Sequence, residues 1–202
     1  MSSTTENARR TYRMGARAEA ARRTREAILD GGERAFTDRW YDEVTLADVA
    51  REAGVSQQTV VNHFGSKENL YLCGLTERFA PRVAAARAEV AIGDIRSVVR
   101  AVVEDYEQTG MGTMRVLALA ERQPTLAEAT RNGRTYHRDW VADSLAPRLA
   151  GRSEADRERT VSLVTTVLDV RTWYQLRQEE GRSVAQTRED LGRLVEAVLA
   201  DQ

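Results

Sequence analysis

The sequence predicts an all-α fold, a small N-terminal three-helix domain followed by a larger C-terminal helical domain. Three features support this. No stretch sustains the alternation of apolar and polar residues that a half-buried strand needs. Ala, Arg, Glu and Leu are abundant, and only three prolines occur among 202 residues, so long helices meet few breakers. Ser or Thr stands at the head of helix-like segments at positions 45, 56 and 66, where helix N-caps belong.

Residues 1–17 are polar and basic and are expected to form a flexible arm. The first 30 residues net +3 in a chain whose formal charge is −1; a basic segment on a mildly acidic body suits a nucleic-acid binder or a solvated tail equally. A helix follows at about 18–38, its apolar stripe formed by Ile28, Leu29, Ala35 and Phe36. Gly31 and Gly32 inside it each cost about 1 kcal/mol against Ala, which points to a helix approaching closely there. Thr45 caps a helix over 46–53, and Ser56 caps another over 56–64. Ser66 caps a third, which runs through Leu70, Leu72, Leu75 and Phe79 and bends at Pro81. Gly93-Asp94 marks a break. Helices are expected beyond it at about 94–108, 112–122, 125–149, 153–180 and 184–200, punctuated by Gly110, Gly112, Pro124, Gly151 and Gly181, with Pro147 closing or kinking the third. The domains are then the arm 1–17, a domain at 18–65 and a domain at 66–202, bridged by the helix that begins at 66.

Several function classes fall away. Cys73 is the only cysteine, so no intrachain disulfide forms, which fits a reducing cytosol, and it reads as a small core residue. No apolar run approaches the ~20 residues of a membrane span, and no apolar segment follows the N-terminal basic residues as in a secretory signal. There is no Gly-rich phosphate loop, no paired Cys or His ligands, and no Ser-His-Asp set. His63 and His137, the two histidines, fall in different domains. No enzyme, metal site or cofactor is predicted.

The segment Leu46–Phe64 carries the positive signal. Apolar Leu46, Val49, Ala50, Ala53, Val55 and Val60 frame two short helices around Gly54. Ala50 lies four residues before Gly54. Two helices crossing steeply over a tight turn need a small side chain at the first position. They also need freedom for left-handed backbone at the second. This is the helix-turn-helix pattern. The second helix packs through Val55, Val60 and Phe64, leaving Gln57, Gln58 and Thr59 to face outward, with Asn62 and His63 beyond. In such motifs the N-terminal part of the second helix enters the major groove. Gln and Asn amides match adenine N6/N7, and Thr can bond a base edge or pack on a thymine methyl. The bland counterpart is a capped, solvated helix in an ordinary bundle.

The flanks go further. "YDEVTLADVAREAGVSQQTVVNHFGSKENL" resembles the DNA-binding domain of the TetR family of transcriptional regulators, and "TREAILDGGERAF" is similar to that family's first helix. The most specific feature is Thr59, His63, Phe64, Ser66, Lys67, Glu68 and Leu70 in T-x-x-x-x-H-F-x-S-K-E-x-L spacing. The resemblance is strong over about 22–72 and elsewhere rests mainly on helix number and length. It implies phosphate contacts from Thr45 and Lys67, and base or phosphate contacts from Gln57, Gln58, Thr59, Asn62 and His63, with Ser56 at the head of the same helix. Lys67 is the one lysine of the chain, and an ammonium at a helix N-terminus suits a phosphate. Arg9, Arg10 and Arg13 of the arm are candidates for minor-groove contacts. The chain departs from the family at Val61, where a tyrosine hydroxyl is usual, and near Trp40, where the first helix usually ends in glycine.

One helix-turn-helix reads few base pairs, so a palindromic duplex operator calls for a homodimer. The last two helices suit that. Val161, Val164, Leu168 and Val170 are joined by Leu163, Val167, Trp173 and Tyr174, while Val184, Leu191 and Val198 recur every seven residues. The alternative is that both stripes belong to one protomer's core. By resemblance, the helices over 94–149 enclose a small-molecule effector site, for which Tyr106, Met111, Met114, Tyr136, His137, Trp140 and Trp173 are the candidates. Asp105, Arg115 and Arg171 are further polar ones. The function implied is a cytoplasmic repressor released from DNA by its effector. The competing readings are an activator, or a helical protein-interaction module without DNA binding.

Overall fold

The computed structural model describes the backbone of residues 2–37 and 39–201, and side chains from residue 15 onward within those spans. The first helix runs from Ser2 to Thr37, so residues 2–17, expected as a flexible arm before a helix at 18, continue that helix; the contacts expected from Arg9, Arg10 and Arg13 concern side chains outside those described. Among the described residues the ordered elements are all helical, with no strand. The chain divides into two compact units, Met1–Arg78 and Phe79–Gln202, so the boundary lies beyond the expected position at 65.

In the first unit α1 (Ser2–Thr37), α2 (Leu46–Ala53), α3 (Gln57–Phe64) and α4 (Lys67–Gly74) surround Ile28, Leu29, Val44, Val49, Val60, Phe64 and Leu70. Leu70 is what draws α4 into this unit. The glycine pair resolves unequally. A Cβ at Gly31 would stand 2.9 Å from the Ala53 nitrogen and 3.1 Å from the Val49 oxygen, so α2 crosses α1 there because the methyl is missing. Gly32 meets Leu70 only at ordinary contact distance. Gly54 adopts the left-handed conformation (φ 68°, ψ 30°), and the Gly54 and Val55 amides close α2 onto Ala50. Near Trp40 the chain turns without glycine. A 3-10 turn, Tyr41–Glu43, does the work: Glu43 accepts from the Trp40 amide at 3.0 Å, and Arg39 donates to the Glu43 carbonyl. After α4 the backbone widens into a π-helical turn, Leu75–Phe79. Pro81, two residues beyond, has no N–H to return to the Glu77 carbonyl, which accounts for the irregularity.

The second unit contains α5 (Ala80–Ala88), α6 (Ile95–Ala120), α7 (Pro124–Ser144), α8 (Glu154–Val167), α9 (Val170–Tyr174) and α10 (Val184–Ala200). Valines 98, 99, 102 and 103 of α6 lie at its centre, against Val141, Leu145, Val164, Leu168, Trp173, Leu191 and Val195. Two predicted boundaries are wrong. Gly110 and Gly112 do not break a helix: α6 runs through both, and Gly110 is buried where the Trp173 ring needs the space. The expected 153–180 helix is interrupted instead at Leu168-Asp169, where Asp169 turns extended (ψ 150°) and its side chain caps α9 through the Arg171 amide. A second π-helical turn, Gln175–Glu179, follows. Pro147 acts as expected, with α7 ending at Ser144 before a 3-10 turn, Ala146–Arg148. The seven-residue stripe Val184, Leu191 and Val198 packs within the unit's own core. The large apolar side chains left outward on α8 and α10 among the described residues are Leu163 and Leu194, 42% and 45% exposed.

Candidate functional site

Ser56 opens α3 in extended backbone, and its hydroxyl oxygen accepts from the Thr59 amide at 3.1 Å. The Ser56 and Thr59 hydroxyls are hydrogen-bonded to each other at 2.8 Å. Val60 and Phe64 face the core while Gln57 and Gln58 are exposed, because the 3.6-residue period puts them on opposite sides of a two-turn helix. Gln58 donates its amide to the Asn62 carbonyl oxygen at 2.9 Å, one turn on. The pair keeps an outward acceptor on Gln58 and an outward donor on Asn62, the complementary functions that reading an adenine edge requires. His63 is half-buried, tilted against Phe64, and Val61 brings no hydroxyl. The structure thus sets Gln57, Gln58, Thr59, Asn62 and His63 on one short helix capped by Ser56, with Ser56, the two glutamines and Asn62 exposed and Thr59 and His63 half-buried.

Thr45 and Lys67, the expected phosphate contacts, both hold partners within the chain. The Thr45 hydroxyl accepts the Asp48 amide at 3.1 Å and the Thr45 amide donates to the Asp48 carboxylate at 2.9 Å, a reciprocal capping box to which the hydroxyl adds a bond of its own to the carboxylate at 2.7 Å. Thr45's hydrogen bonds, with Arg51 nearby, hold the Asp48 carboxyl well below the usual carboxylate range. The Lys67 ammonium donates to the Tyr41 carbonyl at 2.9 Å and the Val44 carbonyl at 3.0 Å, and sits 4.0 Å from the Tyr41 ring centroid. Two of its three N–H groups are turned inward. It ties the start of α4 to the turn that launches α2, and so fixes where the α2–α3 pair stands. Sequence reasoning also missed the pairs that lock α1: Arg25 grips Glu77 at 2.6 and 2.7 Å while stacking on Phe64, and Arg78 bonds Glu26 and Asp30. About fifty residues separate the partners, and no local pattern announces them.

The seven effector-site candidates fall into separate groups. Tyr106 and Trp173 belong to the core, with ring centroids 6.0 Å apart. The Tyr106 hydroxyl donates to the Leu168 carbonyl and the Trp173 indole to Glu107. Met114 packs on the same core, while Met111 is exposed. Tyr136, His137 and Trp140 gather on α7 around Arg87 of α5, which sequence reasoning had missed. The Arg87 guanidinium lies 4.8 Å from the Trp140 ring and 5.4 Å from that of Tyr136. Asp105 faces it at 3.5 Å. Arg171 is exposed and bonds Asp169, outside this group. Burial, reinforced by the Arg87 charge, holds His137 down to about 4, against the opposing pull of Asp169 and the Leu168 carbonyl. Burial likewise raises Asp105, with Arg87 opposing. A cleft of about 340 Å³ opens where α6 meets α7, lined by Ala120–Pro124, Ala127 and Arg131; none of the seven candidates lines it. No group of three metal-ligating side chains occurs among the described residues, and no described helix is long and apolar enough to cross a membrane.

With this geometry in place, comparison with known proteins is specific. Residues 28–72 match the family "Bacterial regulatory proteins, tetR family". The HTH-type transcriptional repressor Rv1474c of Mycobacterium tuberculosis is 32% identical over 142 residues, 67% of this chain and 69% of that protein. The HTH-type transcriptional repressor AcnR of Corynebacterium efficiens is 29% identical over 137 residues, 68% of this chain and 70% of that protein. A transcriptional regulator from Rhodococcus sp. Rha1 shares the fold, with a TM-score of 0.69 at 18% identity over 89% of this chain and 96% of that one.

Proposed function

The chain belongs to the TetR family of DNA-binding transcriptional regulators, and from that premise we propose that it is a cytoplasmic repressor. It binds a palindromic operator as a homodimer and is released by a small-molecule effector. The observation that carries the reading is the division of α3 into a buried apolar side, Val60 and Phe64, and an exposed amide side, Gln57 and Gln58. Repression is favoured over activation because the Mycobacterium and Corynebacterium relatives are both named repressors.

In this reading Gln57, Gln58 and Asn62 contact base edges, with Thr59 and His63 beside them. Phosphates are met by exposed backbone amides at the helix starts, while Thr45 and Lys67 hold the reading helices in place. Two protomers meet through the α8 and α10 faces that carry Leu163 and Leu194, setting two recognition helices one duplex turn apart. The effector binds among α5–α7 and prefers a state in which the two heads no longer match successive grooves, as linkage requires. The chain joins its two units through the π-helical turn Leu75–Phe79, the route by which a displaced α5 would act on α4.

Selection of bound duplexes from a random pool, followed by titration at fixed salt, tests the reading. Wild type should enrich a twofold-symmetric site. Gln57→Ala with Gln58→Ala should cost about 1–3 kcal/mol for each base edge that the amides no longer reach, while circular dichroism stays unchanged. A pool from which nothing is enriched would refute the DNA reading. Equal operator affinity with and without bound effector would refute release.

A further inference from the structure

Arg87 is only 6% exposed. Its one ionic partner among the described residues, Asp105, stands at 3.5 Å, the outer limit of a hydrogen bond. The guanidinium Nε and Nη1 meet no acceptor. His137, 8% exposed, forms no full hydrogen bond through either ring nitrogen, the nearby Leu168 carbonyl already accepting from the Tyr106 hydroxyl, and its ring lies 6.1 Å from that of Trp140, the ring that faces the Arg87 guanidinium. Trp140 and Tyr136 wall the guanidinium. Tyr136 is itself 41% exposed, so the cluster borders solvent.

Burying polar groups without partners is costly, and a buried cation with one long contact more so. The imbalance has a direction. Arg87 offers donors only, neutral His137 adds one donor and one acceptor, and Asp105 already accepts from the Thr109 hydroxyl at 3.1 Å. Acceptors are what the cluster lacks. Arg87 is already paired with Asp105 at long range, so a carboxylate, which brings one negative charge to the buried cluster, is tolerated better than a phosphate dianion, which brings two.

We infer that Arg87 and His137 anchor the effector, and that the effector is a small organic carboxylate whose carboxyl group bonds them while its apolar body lies against Trp140 and Tyr136. This rests on the effector-release reading above and adds the ligand's chemistry and its anchoring residues.

The test uses the full-length protein without DNA. Acetate, benzoate and phenylacetate are titrated by calorimetry and tryptophan fluorescence, each against its neutral amide, with inorganic phosphate as the anion control. The expected result is saturable binding of at least one carboxylate, about tenfold or more tighter than its amide and than phosphate. Arg87→Lys should weaken it by a similar factor. Should Arg87→Lys fail to fold, His137→Phe and the carboxylate-to-amide ratio of wild type decide. The inference is overturned if no carboxylate binds, if amides or phosphate bind as well, or if Arg87→Lys and His137→Phe bind like wild type. Carboxylate binding at Arg87 that leaves operator affinity unchanged overturns the effector role and refutes release by that ligand, while the carboxylate site itself stands. Release by a neutral compound, with no carboxylate bound, does the reverse.

Discussion

A methyl group added at Gly110 would stand 2.3 Å from Cζ3 of Trp173, a ring that is itself fixed by its bond to Glu107. Neither side can yield cheaply, so Gly110→Ala should destabilise the protein by about 1–3 kcal/mol through overpacking. Two residues on, Gly112 meets nothing within 4 Å. The same change there should stabilise by about 0.5–1 kcal/mol through helix propensity alone. Urea denaturation of the two variants checks both signs. His137 gives a second prediction. It titrates near 4 in the folded protein against 6.5 for the unperturbed group. Between those values the unfolded chain binds more protons, so stability must fall as pH falls through the window. Asp105, raised by burial, contributes with the opposite sign, so the comparison must be with His137→Phe. Wild type should lose about 1–2 kcal/mol more than this variant between pH 7 and pH 5, measured by denaturation at both values.

At the scale of the element, Lys67 separates two roles. Its ammonium holds the Tyr41 and Val44 carbonyls, so Lys67→Met should cost about 1–3 kcal/mol of stability by leaving those acceptors short of a donor. The salt dependence of operator binding should keep its slope. A direct phosphate contact would instead lower that slope by about 0.9 and leave stability intact. Thermal melts and a salt titration of one variant distinguish the roles. The same residue marks the limit of what sequence discloses. The caps at Thr45, Ser56 and Ser66, the turn at Gly54 and the stripe Ile28, Leu29 and Ala35 were legible because each is local: a side chain acts within one turn of its own backbone. So was the amide-bearing face of α3. The inward turn of Lys67, the burial of Arg87 and the passage of α6 through Gly110 were not. Each depends on a partner distant in the chain: Tyr41 and Val44, Asp105 with Trp140, and Trp173. A glycine that admits an indole ring reads in one dimension like a glycine that breaks a helix. The interruption at Asp169 was hidden for a related reason: an aspartate cap inside an apolar run looks like a solvent-facing residue of one long helix.

At the scale of the molecule, the proposed dimer converts two weak heads into one reader. Leu163 and Leu194 are the large apolar side chains left outward on α8 and α10, whereas the seven-residue stripe that first suggested an interface packs inside its own protomer. Placing Glu at both positions should therefore disrupt assembly without touching the core, giving a folded monomer in sedimentation at micromolar concentration. The effect on DNA follows from counting phosphates. Each protomer neutralises its own share, so a monomer on a half-site should show about half the log–log salt slope of the dimer on the full operator. Its affinity should fall by about 10²–10⁴, the factor by which tethering two sites multiplies one. Slope and affinity must move together. A variant that becomes monomeric yet keeps the full slope would mean that one protomer alone carries the phosphate contacts. A variant that remains dimeric would mean that the two protomers meet on another face.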